Sequence, residues 1–258
     1  MKKILFTAAG FFMGTAILGS AAVAQNAPEQ DADRLTVVEL FTSQGCSSCP
    51  PADAALRALR DRPGMLTLSW AVDYWDRLGW EDTFANPHYS MRQAAYNKRF
   101  GRGGVYTPQM VFDGRFQSVG SNQNEVRDAI KDARSENRLT ISPTFSSDGT
   151  TVTLNLPETN VPEDIAVVAV WYMGDATVEI GDGENSGRSL HYTNVVRLSD
   201  MLPDWDGSAI SHTFAVKTGR DAGADHLAVL LQQGYYHGTI VGAARIALNA
   251  APTAPAGR

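Results

Sequence analysis

Residues 35–59 read LTVVELFTSQGCSSCPPADAALRAL, and this stretch decides the predicted fold. The run over residues 35–41 is apolar and β-branched, which is typical of a strand buried on both faces of an α/β sheet. After the turn at residues 42–45 come two cysteines and two prolines, and apolar side chains then recur at helical spacing, at Ala52, Ala55, Leu56 and Leu59. Because proline fits the first turn of a helix, the sequence predicts a strand-to-helix junction with both cysteines where the helix begins.

The chain has two cysteines, Cys46 and Cys49, in a C-x-x-C spacing. Two cysteines in an exported protein normally form a structural disulfide, yet a bridge across so short a loop would stabilise the fold by only about 2 kcal/mol. A helix N-terminus stabilises a thiolate and lowers the pKa of a nearby cysteine below its free value of about 8.5. We therefore predict that Cys46 is a redox nucleophile and that Cys49 resolves the mixed disulfide.

The alternation of strands and helices continues to residue 137. It predicts strand, helix, strand, helix, hairpin and helix, over residues 35–41, 52–59, 66–72, 87–100, 109–112 with 115–119, and 122–136. Asp113-Gly114 is a typical hairpin turn. After residue 137 the pattern changes to short apolar strands separated by Gly, Asp, Asn and Pro. The sequence therefore predicts three parts: an α/β domain at 35–137, a mostly-β, sandwich-like domain at 138–249 and a disordered tail at 250–258.

The first residues predict export. Lys2 and Lys3 precede an apolar stretch at residues 4–18 and the small residues Ala22-Val23-Ala24, the pattern of a cleavable secretory signal at residues 1–24. The apolar stretch is shorter than the ~20 residues that span a bilayer, so we expect a soluble periplasmic or secreted protein with no membrane partner after cleavage. The formal net charge of −6 disfavours nucleic acid as a partner.

Further motifs accompany the cysteines. They are Val38 to Asp53 (VELFTSQGCSSCPPAD), Asp73-Tyr74-Trp75 with Gly79-Trp80, Tyr106-Thr107-Pro108-Gln109, Gly187-Arg188 with Asn194-Val195-Val196-Arg197, and Gly242-Ala243-Ala244-Arg245. Together they resemble the thioredoxin superfamily and, within it, a family of exported bacterial proteins known as domain-of-unknown-function family 1223. The resemblance covers most of the chain after residue 24. It implies a thioredoxin-like domain of order β-α-β-α-β-β-α followed by the β-rich domain.

The resemblance also implies roles for single residues. Thioredoxin-like proteins place a cis-proline opposite the cysteines, and Thr107-Pro108 matches that position, beside which an extended substrate peptide could pair. Glu39 resembles the buried carboxylate that exchanges protons with the resolving cysteine, although it could equally be a structural glutamate. Three aromatic residues are candidates for an apolar rim that contacts a partner, with packing inside the protein as the alternative: Tyr74, Trp75 and Trp80.

The leading functional prediction is a periplasmic thiol:disulfide oxidoreductase that acts on a protein thiol or disulfide. Its only cofactor would be the redox-active Cys46–Cys49 disulfide, and no metal site is predicted. Two alternatives stay open. The paired thiolates could hold Cu(I), a soft ion that suits soft ligands. Alternatively, the protein could be a non-enzymatic interaction protein with a structural disulfide, which a buried Cys46 and a very low reduction potential would favour.

Overall fold

The computed structural model describes residues 34–135 and 139–249. The predicted signal at residues 1–24 and the predicted tail at residues 250–258 lie outside the described residues. What is described is a mixed α/β structure built on a large eight-stranded sheet and a second sheet of three strands. Within these described ranges, no helix is both long and apolar enough to cross a membrane.

The first half of the structure follows the element order predicted from the sequence. Its elements are β1 Thr36–Thr42, α1 Pro50–Arg60, β2 Met65–Ala71, α2 Pro87–Arg99, β3 Gln109–Phe112, β4 Phe116–Ser118 and α3 Gln123–Ser135. The Asp113-Gly114 hairpin is confirmed, since both residues have positive φ (46° and 68°) and β3 pairs with β4 across them. A short 3-10 helix, Asp76–Leu78, was not predicted.

The second half is mostly strand, with two short helices that the sequence did not predict. Its elements are β5 Thr144–Ser147, β6 Thr151–Leu156, β7 Ala166–Glu179, β8 Ser189–Met201, β9 Ile210–Ala215, α4 Val216–Asp221, β10 His226–Gln232, α5 Gln233–Tyr236 and β11 Ile240–Ala247. β7, with 14 residues, and β8, with 13, are longer than the short strands that the sequence predicts after residue 137. β7 pairs with β10 only as far as Tyr172, so the remainder of the β7–β8 hairpin projects as an arm.

The large sheet has the strand order β11-β10-β7-β8-β2-β1-β3-β4. Two neighbouring pairs are parallel, β1 with β2 and β2 with β8, and the other pairs are antiparallel. β2 and β8 share one residue pair, Ser69 and Val195, and this pair joins the two halves of the chain. The Asn194 amide strengthens this junction by donating hydrogen bonds to both oxygens of Thr67, at 2.8 and 2.9 Å. The sheet therefore runs through the predicted boundary at residue 137, and the division into two domains stays a prediction.

The three-stranded sheet, of order β5-β6-β9, packs against the second half of the large sheet. Val152 and Leu154 of β6 belong to an apolar core that also contains Val167 of β7. Leu227 and Val229 of β10 extend the same core. Alternating strand residues bury one face of each sheet in this way. This arrangement of two sheets agrees with the sandwich-like packing expected after residue 137.

The alternation of side chains along β1 decides which residues can approach the cysteines. Val38 and Leu40 point to the face covered by α1 and α3, where they pack with Leu56 and Val126. Residues of the opposite parity, including Phe41, join a core with Tyr96 of α2. Because successive strand residues face opposite sides of a sheet, Glu39 lies on the α2 face.

Candidate functional site

Cys46 and Cys49 form a disulfide at the junction of β1 and α1, with their Cα atoms 5.4 Å apart. Cys49 is the N-cap residue of α1, and Pro50 follows it in the first turn. The Cys49 amide donates to the Cys46 carbonyl at 3.2 Å, so the C-x-x-C segment forms a tight turn that leads into the helix. Both cysteines are 0% exposed, whereas the two serines between them are exposed.

The tip of the β7–β8 arm, residues 180–188, contacts the backbone on both sides of Cys46. The Asn185 amide donates to the Gln44 carbonyl at 2.9 Å and to the Cys46 carbonyl at 3.0 Å. A carboxylate oxygen of Glu184 accepts a hydrogen bond from the Ser47 backbone N–H at 3.1 Å. Asn185 is 0% exposed, so the tip covers the turn with a buried polar contact.

Trp80 holds the arm tip from its outer side. Its indole N–H donates to the Gln44 side chain at 2.8 Å, and its ring lies so close to Gly181 that a Cβ on that glycine would meet a ring carbon at 2.9 Å. Ile180, the first residue of the tip, and Leu190, just after the tip, are buried in an apolar cluster against which Trp80 packs. The close approach therefore requires a residue without a side chain at position 181.

Asp53 lies on α1 one helical turn after Cys49. It is buried, and burial raises the pKa of its carboxyl to about 8, an effect that the charge of Arg57 opposes and the charge of Asp82 reinforces. Among the described residues, one Asp53 carboxyl oxygen, the Thr42 hydroxyl and the Tyr192 hydroxyl are buried without a hydrogen-bond partner. The raised pKa favours the protonated carboxyl at neutral pH, in a small buried polar group one helical turn after Cys49.

Sequence reasoning gave Asp53 no role. An aspartate within an amphipathic helix is normally assigned to the exposed face. The sequence feature that indicates burial of Asp53 is its position four residues after Cys49 and three before Leu56. Residues at those spacings share one face of a helix. That face is the buried one here.

A second carboxyl, Asp82, anchors the turn before Cys46. It accepts the Gln44 backbone N–H at 2.7 Å and the Phe84 backbone N–H at 2.8 Å. Burial raises its pKa to about 6, against the lowering effect of these N–H donors. Burial also raises the pKa of Tyr192, and the charges of Asp53 and Asp82 add to that rise. Two buried carboxyls and a phenol therefore lie close together beside the disulfide.

Glu39 has a different environment from the one that its predicted role requires. One carboxylate oxygen accepts a hydrogen bond from Arg92 Nε at 2.7 Å and the other accepts from the Tyr96 hydroxyl at 2.5 Å. The side chains of Glu39 and Arg92 are almost completely buried. The structure therefore brings Glu39 together with α2 on the face of the sheet opposite α1, and it does not bring Glu39 together with the cysteines.

The Thr107-Pro108 peptide bond is cis, as expected. The Thr107 hydroxyl accepts a hydrogen bond from the Trp75 indole N–H at 2.7 Å. Trp75 also contacts the turn before the cysteines, since a Cβ on Gly45 would lie 3.3 Å from the Trp75 Cβ. Trp75 therefore connects the cis-proline loop with the C-x-x-C turn.

The three predicted rim aromatics are half-buried, and each has an internal hydrogen bond. The Tyr74 hydroxyl donates to Gln93 at 3.2 Å, and Trp75 and Trp80 use their indole N–H groups as described above. Their packing fits the alternative that the sequence left open, and their contact with a partner stays a prediction. Across the described residues, no group of three His, Cys, Asp or Glu side chains is arranged to hold a metal ion.

The fold and the site together define a mixed α/β protein with a C-x-x-C disulfide between its first strand and its first helix. The chain belongs to the family described as "Protein of unknown function (DUF1223)", whose model matches residues 37–232. The family resemblance found in the sequence motifs is thereby confirmed. A comparison with curated proteins gives no match.

Solved structures of other proteins are similar to this chain. A crystal structure of a protein from Agrobacterium tumefaciens has 31% sequence identity and a TM-score of 0.74, over 86% of this chain and 99% of that chain. HBP35 of Porphyromonas gingivalis has 14% identity and a TM-score of 0.54, over 87% of this chain and 79% of that chain. The second similarity is one of fold alone. The first is long enough to include both the α/β half and the β-rich half of the chain.

Proposed function

We propose that this protein is a periplasmic, thioredoxin-like thiol:disulfide exchange protein whose working group is the Cys46–Cys49 disulfide. The observation that carries the proposal is the position of the C-x-x-C disulfide at the start of α1, with the buried carboxyl of Asp53 one helical turn after Cys49. A disulfide that opens must deliver a proton to its leaving thiolate, and a buried carboxyl whose pKa is raised to about 8 is suited to supply it.

The arrangement of the first half supports the thioredoxin-like part of the proposal. Strands β2-β1-β3-β4 lie in that order, with β1 and β2 parallel and β3 and β4 antiparallel to their neighbours. α1 and α3 pack on one face and α2 packs on the other. This is the order β-α-β-α-β-β-α that the motifs imply, with a cis-proline immediately before β3.

In the proposed reaction, a partner thiolate attacks Cys46 Sγ and forms a mixed disulfide. The bond between the two cysteine sulfurs breaks, its electron pair leaves with Cys49, and Asp53 supplies the proton to that thiolate. A second partner thiolate then attacks the partner's sulfur and releases Cys46 as a thiolate. The protein disulfide has gained two electrons, and the partner dithiol has become a disulfide. The reverse sequence oxidises the protein, with the Asp53 carboxylate accepting the proton.

The proposal is tested by equilibrating the protein with glutathione buffers and measuring the reduction potential of the disulfide. Exchange with a reduced protein substrate is measured in parallel, with Cys46→Ser as the inactive variant. A potential above roughly −230 mV, with exchange lost in Cys46→Ser, supports the proposal. A potential below about −300 mV, or exchange that persists in Cys46→Ser, contradicts it.

The complete burial of both cysteines favours a second candidate, a non-enzymatic interaction protein with a structural disulfide. The two candidates predict different behaviour after reduction. A structural bridge of this short loop contributes about 2 kcal/mol, so its loss would lower the stability without affecting any partner's thiols. Retained Cu(I) in the reduced protein, absent from the Cys46→Ser, Cys49→Ser double variant, would instead support the copper hypothesis.

A further inference from the structure

The arm tip at residues 180–188 contacts the turn at the backbone atoms that border the disulfide. Ser47 N–H lies directly after Cys46 and is bonded to Glu184. The carbonyls of Gln44 and Cys46 are bonded to the amide of Asn185. These three backbone groups are one donor and two acceptors, and their partners are side chains far along the chain, with Glu184 137 residues from Ser47 and Asn185 139 residues from Cys46.

An extended polypeptide offers the same chemistry from its own backbone. Each residue of such a chain has one N–H donor and one C=O acceptor, and strand addition uses these groups for affinity. A small thiol without peptide groups offers neither. The side chains of Glu184 and Asn185 therefore make hydrogen bonds to the turn that the main chain of a bound polypeptide segment could make instead.

We propose that the arm tip is an intramolecular occupant of a polypeptide-binding surface, and that a partner polypeptide reaches Cys46 by displacing it. The nature of the partner's reaction rests on the proposed function, whereas the hydrogen bonds between the tip and the turn do not. The surface consists of the backbone of residues 44–47. The occupant is held by Asn185 and Glu184, and the incoming ligand is an extended peptide segment.

In the proposed displacement the tip moves as a unit. Arg188 donates to the Asn185 side-chain oxygen at 2.6 Å, which fixes the orientation of the amide. Gly183 and Gly187 have φ values of 75° and 76° and border the segment that carries both contact residues. Because glycine reaches both signs of φ without steric penalty, the backbone can change direction at these positions while β7 and β8 stay paired.

The first experiment measures how fast tris(2-carboxyethyl)phosphine reduces the disulfide of the full-length oxidised protein. Asn185→Ala removes two hydrogen bonds to the turn and is expected to raise the rate about tenfold, and Glu184→Ala removes one and is expected to raise it about threefold. Asp182→Ala is the matched control, because Asp182 lies in the tip and its side chain bonds the adjacent Gly183 N–H instead of the turn. Equal rates in all four proteins would overturn the covering by the tip.

Thermal unfolding shows whether each variant is folded at the assay temperature. Glu184 is exposed, so we expect Glu184→Ala to fold even if Asn185→Ala does not. The test then rests on the reduction rate of Glu184→Ala. A rise in the Glu184→Ala rate at an unchanged unfolding midpoint is the expected result. An unchanged rate at an unchanged midpoint contradicts the proposal.

The second experiment identifies the class of ligand. Asn185→Ala is reacted with a synthetic twelve-residue peptide that contains one cysteine, and with the same peptide N-methylated on both sides of that cysteine. The unmodified peptide is expected to react at least about fivefold faster, since methylation removes the backbone donors. Equal rates would exclude backbone pairing. A reduction potential of Asn185→Ala in the range of structural disulfides would defeat the proposed exchange function and leave the phosphine result intact.

Discussion

Asp53 follows Cys49 by one turn of α1, and the Asp53 backbone N–H donates to the Cys49 carbonyl at 3.1 Å. In the proposed exchange, one helical turn therefore holds both the sulfur that leaves and the carboxyl that protonates it. Burial raises the pKa of Asp53 to about 8, which favours the protonated carboxyl at neutral pH.

Asp53→Asn should slow thiol exchange at neutral pH by about 100-fold, because the departing Cys49 thiolate loses its proton donor. Stopped-flow measurement of disulfide reduction by a dithiol, from pH 6 to pH 9, tests this. Asp61→Asn is the matched control, since Asp61 caps the other end of α1 and its side chain is largely exposed. Equal rates for Asp53→Asn and wild type would remove Asp53 from the mechanism.

Asp53 should also make folding stability depend on pH. Its pKa is raised from 3.8 to about 8 by burial in the folded protein, so between these values the folded state holds a proton that the unfolded chain has released. The contribution of this proton to the free energy of unfolding is complete below about pH 4 and is lost as the pH rises towards 8. The loss is at most on the order of 5 kcal/mol. Urea unfolding at pH 5, 6.5 and 8 should show that the free energy of unfolding declines less with rising pH for Asp53→Asn than for the wild type. An equal decline in the two proteins would contradict this.

Gly181→Ala should loosen the arm tip. The new Cβ would meet Trp80 at 2.9 Å, and the indole cannot move freely because its N–H is bonded to Gln44. We expect a loss of about 1 kcal/mol in stability and faster reduction of the disulfide by the phosphine. Gly103→Ala is the control, because nothing lies within 4 Å of its added Cβ. Identical reduction rates in the two variants would show that Trp80 does not hold the tip.

Glu39→Gln should destabilise the fold by roughly 3–5 kcal/mol, since it leaves the buried Arg92 without its carboxylate. Thiol exchange in the folded protein should stay unchanged, because Glu39 faces α2. Asp128→Asn, at an exposed ion pair with Arg127, should alter stability by less than about 1 kcal/mol. Loss of exchange at unchanged stability would instead assign the proton-transfer role to Glu39.

The sequence is sufficient for features that depend on neighbouring residues. The C-x-x-C junction, the prolines of α1 and the Asp113-Gly114 hairpin follow from local spacing and turn chemistry. The site residues Glu184 and Asn185 could not be found in this way, because they reach Cys46 only through the fold of the arm. The lengths of β7 and β8 were also missed, since Gly174 and Asp175 are unfavourable strand residues that cross-strand pairing with β8 overrides.

Glu39 shows the limit of reasoning by resemblance. Its place on the strand before the cysteines is predicted correctly, but the pleat of β1 decides which face it occupies, and Arg92 lies 53 residues further along the chain. The buried acid behind the disulfide comes from the helix instead of the strand. A prediction of the burial of Asp53, and of the face that Glu39 occupies, would have required the packing of α1 and α2 on the sheet.

The single pair between Ser69 and Val195 joins β2 to β8 in the middle of the large sheet. β2 is buried along its whole length, so a fragment that stopped at residue 135 would expose its apolar side chains and its unpaired backbone groups at a new sheet edge. Exposed edges of that kind recruit other strands. The β-rich half therefore protects the first half from self-association, and fragments made to isolate the cysteines would aggregate.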